Sequence, residues 1–293
     1  MSEWLAGSVS GQVTFEGVTL NHEAMGDPAN PPVILLHGFP EFWYSWRYQM
    51  PALADAGFYA IAPDQRGYNR SSKQGPFGMK RLVQDVAQFQ DTLGIKRCAI
   101  VGHDWGGAVA WTFAAAYPER VERLVVMNGP HPRAYMDACR KGFKQIFKSW
   151  YFFFFQLPLI PEWTLRANHY KALRSMFRKL VPPQYMSDRD IDRYVDAWRQ
   201  PGAMTATINW YRGLPQQMFR RSAGGSATLP NIKAPSCVIW GMDDHALDSS
   251  CNDTLDKYVD NLVVHNLPGG SHFVQMYDPP AVNALLIPFL KGA

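Results

Sequence analysis

The residues best suited to covalent chemistry lie in the segment Gly102-His103-Asp104-Trp105-Gly106-Gly107. The segment follows an apolar run typical of a buried strand and precedes a helical pattern, as does the G-x-S-x-G turn that presents a nucleophile. Gly102 and Gly106 take the small-residue positions, where a side chain would clash as the turn tightens. The nucleophile position holds Asp104 rather than serine or cysteine. A carboxylate can attack a saturated carbon that carries a leaving group, and the product is an alkyl ester on the protein.

The start of a helix is a favourable place for a carboxylate nucleophile. Asp104 would face unpaired backbone N–H groups and the positive end of the helix dipole, and both favour its ionised form. The alternative interpretation is that Asp104 is only the N-cap of the helix. A cap alone does not account for the glycines around it or for the candidate partner residues farther along the chain.

An alkyl ester must be removed by water, and the water needs a base and an acid that orients the base. His272 follows the last predicted strand and its turn, which is a suitable place for the base. Asp244 follows the preceding predicted strand and is the first choice for the orienting acid, with Asp243 and Asp248 as competitors. The order nucleophile, acid, histidine is that of the α/β-hydrolases.

Hydrolysis of the ester passes through a tetrahedral intermediate whose oxyanion needs two N–H donors. The backbone of Trp105, directly after the nucleophile, supplies one. The loop that follows the first buried strand supplies the other, and Phe39 is the predicted donor. His37 and His103 lie beside these loops and are expected to organise them by hydrogen bonding.

The elements that must position these residues form an alternating pattern. Two early strands near 11–25 are expected to form an antiparallel edge, and continuous apolar runs after them favour a parallel sheet covered on both faces. The runs are 33–36, 58–62, 98–101, 124–127, 238–240 and 262–264, and the helical patterns are 42–56, 80–93, 106–117, 248–260 and 281–290. This alternation predicts an α/β fold.

The alternation stops after Pro130, and residues 131–225 are helical, aromatic and basic. They hold 16 Lys and Arg, 6 Asp and Glu, and 18 of the 40 aromatic residues. We predict a core formed by residues 1–130 and 226–293, with residues 131–225 inserted as a helical cap. Residues 222–226 read as a flexible linker back to the core.

Composition excludes several classes of function. The chain has 293 residues and a formal net charge of +4, which does not indicate a nucleic-acid binder. Its four cysteines include no C-x-x-C pair, so zinc or dithiol chemistry is not expected. No apolar run reaches the ~20 residues of a spanning helix, and the first residues do not resemble a signal peptide. We expect a cytoplasmic protein without a membrane span.

Several motifs together resemble those of the α/β-hydrolase-fold epoxide hydrolases. They include HGFPE at 37–41, DQRGY at 64–68 and GHDWGG at 102–107. The resemblance implies a mostly parallel twisted sheet flanked by helices, with a helical cap between two late strands. It also implies a small-molecule epoxide as substrate, a vicinal diol as product, and no metal or cofactor.

The resemblance further implies two cap tyrosines that hold and protonate the epoxide oxygen, and Tyr151 and Tyr211 match them. Epoxide opening develops an alkoxide, and a phenol with a pKa of about 10 is an acid still protonated at neutral pH. The alternative is that both tyrosines only pack the cap. The other residues of the run Trp150 to Phe155 are interpreted as tunnel wall and cap core.

Other functions are compatible with parts of this pattern. A haloalkane dehalogenase would share Asp104 and His272, but such enzymes usually carry asparagine at the position of Phe39 and need no tyrosine pair. A non-catalytic binding protein on this fold would not need an intact nucleophile, acid and base. The positive charge of the cap could attract anionic substrates or a lipid surface, or could simply belong to solvated helix faces.

Overall fold

One sheet of eight strands forms the centre of the molecule, and its strand order is β1-β2-β4-β3-β5-β6-β7-β8. The computed structural model describes residues 4–223 and 230–292. The strands are β1 (Val9–Phe15), β2 (Val18–Met25), β3 (Pro32–Leu36), β4 (Tyr59–Pro63), β5 (Cys98–His103), β6 (Val121–Met127), β7 (Ser236–Gly241) and β8 (Leu262–Leu267). Each predicted apolar run lies in one of them, except that Phe58 precedes β4, and both early strands are present.

The sheet is antiparallel only at one edge. Strand β2 pairs antiparallel with β1 and β4, whereas all the pairs from β4–β3 to β7–β8 are parallel. Every residue of β5 and β7 is buried. Helices cover both faces of such strands, which is why their sequences are continuously apolar rather than alternating. The predicted α/β architecture is confirmed.

Eleven helices surround the sheet within the described residues, apart from short 3₁₀ turns. They are α1 (Gln49–Asp55), α2 (Met79–Thr92), α3 (Trp105–Ala116), α4 (Pro132–Lys141), α5 (Phe143–Lys148), α6 (Trp150–Gln156), α7 (Ile160–Leu180), α8 (Asp188–Arg199), α9 (Ala203–Ala223), α10 (Val274–Tyr277) and α11 (Pro279–Lys291). Helix α7 is interrupted at Ala167–Tyr170, where the backbone leaves the helical region. None of the described helices combines the length and apolar character needed to cross a membrane.

Two predicted elements differ from the structure. The helix predicted over 248–260 is absent, and two 3₁₀ turns, Ser249–Asn252 and Leu255–Lys257, replace it. The reason is local, because Asp248 accepts a hydrogen bond from the Ser250 N–H and such side chains compete with helical bonds. Strand β8 forms the sheet edge and is not covered on both faces, so Val263 and Val264 are exposed.

Helices α4 to α9 lie between β6 and β7 along the chain, so the predicted helical insertion is present. Helix α9 continues through Ala223, and the first residues of the predicted linker 222–226 are therefore helical. The rest of that linker and the predicted boundary at 225/226 lie outside the described residues. The division into cap and core at these boundaries stays a prediction.

Candidate active site

Asp104 lies on a tight turn between β5 and α3, with φ +49° and ψ −117°. A positive φ is uncommon for a residue other than glycine, and such strain is typical of functional turns. The turn needs glycines, because a Cβ on Gly106 would lie 2.1 Å from the Leu36 carbonyl oxygen. A Cβ on Gly102 would lie 2.5 Å from the Gly106 carbonyl oxygen. The predicted strand–turn–helix geometry is therefore present.

The carboxylate of Asp104 is held by the two backbone groups predicted as oxyanion donors. The Phe39 N–H donates to Oδ1 at 2.9 Å, and the Trp105 N–H also hydrogen-bonds the carboxylate. Gly38 permits this approach, since a Cβ at that position would lie 2.5 Å from the Cβ of Asp104. Oδ1 is thus fixed, while Oδ2 is directed toward the second group of the site.

That second group is His272, whose Nε2 lies 3.6 Å from Oδ2 of Asp104. Its other ring nitrogen, Nδ1, lies 2.7 Å from Oδ2 of Asp244. The two competing acids have other surroundings: Asp243 is exposed, and Asp248 forms an ion pair with Lys144 at 2.7 Å. The structure therefore places the His272 ring between the carboxyl groups of Asp104 and Asp244.

Asp244 is fixed by hydrogen bonds to both of its oxygens. The backbone N–H groups of Ala246 and Leu247 donate to Oδ1 at 2.7 and 2.9 Å, and Asn128 Nδ2 donates to Oδ2 at 2.8 Å. The sequence analysis did not predict this role for Asn128. The available signal was its position directly after β6, because β6 pairs with β7 and the loop after β7 carries Asp244.

Burial and charge act in opposite directions on these groups. Burial raises the pKa of Asp104 above its usual value, although His272, His103 and the two backbone N–H groups oppose the shift. Burial would lower the pKa of His272, but the charges of Asp244 and Asp104 outweigh it and raise that pKa to about 9. The two carboxyl groups thus favour the imidazolium form of His272, and the charge of His272 in turn favours the carboxylate form of Asp104.

Tyr151 on α6 and Tyr211 on α9 meet above the Asp104 turn. Their ring centroids are 5.9 Å apart, and the Tyr211 ring also lies 5.3 Å from Phe39 and 5.0 Å from Trp105. Burial, and next the nearby charge of Asp104, raise the pKa of both phenols well above the usual value. Both hydroxyls are therefore protonated at neutral pH and can donate.

The aromatic run that contains Tyr151 is only partly interior. Phe155 is buried and contacts Tyr211 at 4.6 Å between ring centroids, as expected for wall and cap core. Trp150 and Phe153 are exposed, so their interpretation as tunnel wall or cap core is wrong. The run forms helix α6, and a helix presents only one side to the interior.

A buried hydrogen-bond network lies beneath His272, and it confirms the predicted role of His103, whereas the role of Glu41 was not predicted. Oε2 of Glu41 lies 2.6 Å from Nδ1 of His103, whose Nε2 lies 2.8 Å from the His272 carbonyl oxygen. The same Glu41 oxygen accepts a hydrogen bond from the Gly38 N–H, and Oε1 accepts one from Gln275. Burial opposes the charge on Glu41, but His103 outweighs it and lowers the pKa of the carboxyl. The loops that carry Phe39 and His272 are therefore joined through one carboxylate.

Replacing Glu41 with glutamine should destabilise the protein. The amide nitrogen would face N–H donors in place of an acceptor, and a broken buried network costs about 2–4 kcal/mol of unfolding free energy. Urea denaturation measures the loss. Glu122→Gln, at an exposed position, is the matched control and should leave the free energy of unfolding unchanged. Equal stability of the two variants would contradict the structural role of Glu41.

One cap helix contacts the loop of Asp244 directly. Nζ of Lys148, in α5, donates to the Asp244 carbonyl oxygen at 2.6 Å and lies 3.4 Å from Oδ2 of Asp248. Gln145 of the same helix donates to the Ala246 carbonyl oxygen and accepts from the Asp248 N–H. With the contacts of Lys148 to the Leu247 carbonyl oxygen and of Lys144 to Asp248, six polar contacts hold helix α5 and the segment 244–248 together.

Comparison with known proteins places the whole chain in one family. Residues 31–279 match the family described as alpha/beta hydrolase fold. The chain is 38% identical over 288 residues to the AB hydrolase superfamily protein YfhM of Bacillus subtilis, with 96% of this chain and 97% of that protein covered. It is 33% identical to Epoxide hydrolase 4 of Mus musculus, covering 96% of this chain and 78% of the relative.

Solved structures agree with the sequence comparison. A crystal structure of the Bacillus megaterium epoxide hydrolase in complex with an inhibitor has a TM-score of 0.86 and 30% sequence identity to this chain. The alignment covers 96% of this chain and 100% of that chain. The chain therefore belongs to the α/β-hydrolase-fold epoxide hydrolase family.

Proposed function

We propose that the protein hydrolyses epoxides to vicinal diols through a covalent ester on Asp104. The observation that carries this proposal is the row Asp104–His272–Asp244 beneath two protonated phenols, Tyr151 and Tyr211. A carboxylate nucleophile suits a saturated carbon, and the phenols suit an oxygen leaving group that remains attached to the product. The relatives named epoxide hydrolases support the same reaction.

In the first step, Oδ2 of Asp104 attacks one epoxide carbon and the bond from that carbon to oxygen breaks. A proton passes from Tyr151 or Tyr211 to the alkoxide that develops. Oδ1 stays on the Phe39 N–H, so it becomes the carbonyl oxygen of the ester, and the Trp105 N–H hydrogen-bonds the same carboxyl group. The donors thus hold the oxygen that does not react.

In the second step, water attacks the carbonyl carbon of the ester, and His272 takes the proton of that water. The negative charge that develops on Oδ1 is stabilised by the same two N–H groups. As the intermediate collapses, the bond from the carbonyl carbon to the former Oδ2 breaks, and that oxygen leaves in the diol with the second proton of the water. The proton held by His272 returns to the phenolate, and Asp104 is again a carboxylate. The sum of both steps is the addition of one water to the epoxide.

Ester formation also prepares His272 to act as a base. The charge of Asp104 is one of the groups that raise the pKa of His272 to about 9, and that charge disappears in the ester. The pKa of His272 must then fall, since burial still opposes its charged form. Hydrolysis of the ester is therefore expected to speed up with rising pH and to level off at an apparent pKa below 9.

A single turnover of styrene oxide in ¹⁸O-water tests whether the oxygen added to the diol comes from Asp104 or directly from water. With enzyme in excess, the diol should contain no ¹⁸O, because its new oxygen comes from Asp104, and the label should remain in the protein. Repeated turnover is the control and should produce labelled diol. Label in the diol of the first turnover would mean that water attacks the epoxide directly.

Phenylalanine at the two tyrosine positions should slow the opening of the ring. Tyr211→Phe or Tyr151→Phe leaves one phenol, whereas the double variant removes both and should lower the alkylation rate by about 10²–10⁴-fold. Rapid-quench measurement of ester formation gives this rate. Tyr185→Phe, at a half-buried position on a different cap segment, should leave the rate of ester formation unchanged. A double variant with full activity would leave the tyrosines with a packing role only.

The cap and core are proposed as units with distinct contributions. The core, residues 1–130 and 226–293, supplies the nucleophile, acid and base, and the cap, residues 131–225, supplies the phenols. Haloalkane dehalogenation would use the same Asp104 and His272, but it develops no alkoxide and therefore needs no proton from Tyr151 or Tyr211. Halide release from haloalkanes without diol formation from styrene oxide would favour that alternative.

A further inference from the structure

Large apolar side chains are exposed along the outer side of helices α5, α6 and the start of α7. Phe147 is 76% exposed, Phe153 72% and Trp163 75%. The full set, called here the outer apolar face, is Phe143, Ile146, Phe147, Trp150, Phe153, Leu157, Leu159, Ile160 and Trp163. So many large apolar side chains exposed within about twenty residues indicate an interaction surface.

The spacing of these residues separates two sides of the same segment. Within each helix the exposed members are three or four residues apart, which brings them to one side. The other side of the segment holds Gln145, which contacts the loop after Asp244, and Phe155, which contacts Tyr211. The outer apolar face is therefore the reverse side of the helices that roof the candidate active site.

The segment that carries this face has an excess of positive charge. From 137 to 188 the sequence contains nine Lys and Arg and three acids, and one of these acids, Glu162, is buried and paired with Arg212. Lys141 and Lys144 flank the first aromatic residues and are exposed, and their ion pairs are with core residues Asp253 and Asp248. A cationic rim next to exposed tryptophan and phenylalanine matches the anionic surface of a lipid bilayer.

We propose that the outer apolar face docks on anionic lipid bilayers, with the aromatic side chains in the headgroup region and the cap cations above it. A second copy of the chain is the weaker match. In a two-fold interface the same surface meets itself, so the excess cations of both copies would be opposed. An anionic bilayer neutralises them instead, and apolar epoxides dissolved in it would lie next to the roof of the site.

Co-sedimentation with vesicles tests the proposal without any substrate, so the outcome is independent of the chemistry at Asp104. The whole protein is mixed with vesicles of phosphatidylcholine, with or without phosphatidylglycerol. Binding is expected only where phosphatidylglycerol is present, and added salt should weaken it. Phe147→Gln/Phe153→Gln should lower vesicle affinity by about tenfold or more, because each removes a large apolar contact.

Two further variants make the result specific. Lys141→Gln/Lys144→Gln should weaken binding to anionic vesicles, and Val9→Glu, an exposed apolar position on β1 at the antiparallel sheet edge, should leave it unchanged. All variants should retain styrene oxide turnover, which shows that they fold. Absence of vesicle binding, or equal binding by the Phe147→Gln/Phe153→Gln variant, would overturn the proposal. Concentration-dependent dimers in sedimentation velocity that this double variant abolishes, without vesicle binding, would overturn it in favour of a second copy.

Discussion

Asp104→Ala should lower kcat/KM for styrene oxide by at least about 10⁴-fold, because it removes the atom that forms the ester. The strained turn and its glycines do not require a carboxylate, so the variant should remain folded. No covalent adduct should appear in intact-protein mass spectra at any time of incubation. Retention of more than a small residual activity would exclude Asp104 as the nucleophile.

The same substitution offers a second readout that a purely structural role would not change. The negative charge of Asp104 is among the groups that raise the pKa of His272 to about 9. Asp104→Ala should therefore lower that pKa, and NMR titration of the imidazole measures the change. An unchanged pKa would mean that the two groups, 3.6 Å apart in the structure, are not electrostatically coupled.

His272→Ala should separate the two chemical steps. The ester still forms, since Asp104 and both tyrosines remain, but its hydrolysis loses the general base and should slow by about 10²–10⁴-fold. One equivalent of epoxide should therefore be consumed in a burst, and the protein mass should rise by the mass of the epoxide. Peptide mapping should locate the adduct on Asp104. A variant that turns over at the normal rate, or never forms an adduct, would contradict this division of roles.

Two neighbouring aspartates provide a matched pair for the orienting acid. Asp244→Asn removes the acceptor for His272 Nδ1 and should slow ester hydrolysis by about 10²-fold or more. Asp243→Asn changes an exposed side chain and should have no effect. If Asp243→Asn were the damaging substitution, the assignment of the acid would be wrong.

Much of the fold was predictable because its signals are local. A buried parallel strand is a short, continuous apolar run, and a tight strand-to-helix turn needs glycines at fixed positions. For the same reason, Asp104, Asp244 and His272 could be placed at strand ends before any coordinates. The segment 248–260 was not predictable in this way, since its apolar spacing is helical while the Asp248 side chain accepts a hydrogen bond from the Ser250 N–H.

The features that the sequence did not predict depend on contacts between distant parts of the chain. The pair Glu41–His103 joins residues 62 positions apart, and no local pattern indicates which carboxylate meets which histidine. The aromatic run Trp150 to Phe155 looked uniformly interior, because composition does not tell which side of a short helix faces the core. Only the packing of α6 against Tyr211 separates Phe155 from Trp150 and Phe153.

The contacts between Lys148 and the Asp244 loop have a thermodynamic consequence. Helix α5 contributes to the outer apolar face and also holds the backbone of the triad acid, so any occupant that shifts α5 must also shift the energy of that loop. Coupling between two binding events is reciprocal. If docking changes the affinity for an epoxide by some factor, the epoxide must change the affinity for the docking surface by the same factor. Occupation of the buried site would then change the affinity of the outer apolar face for its binding partner.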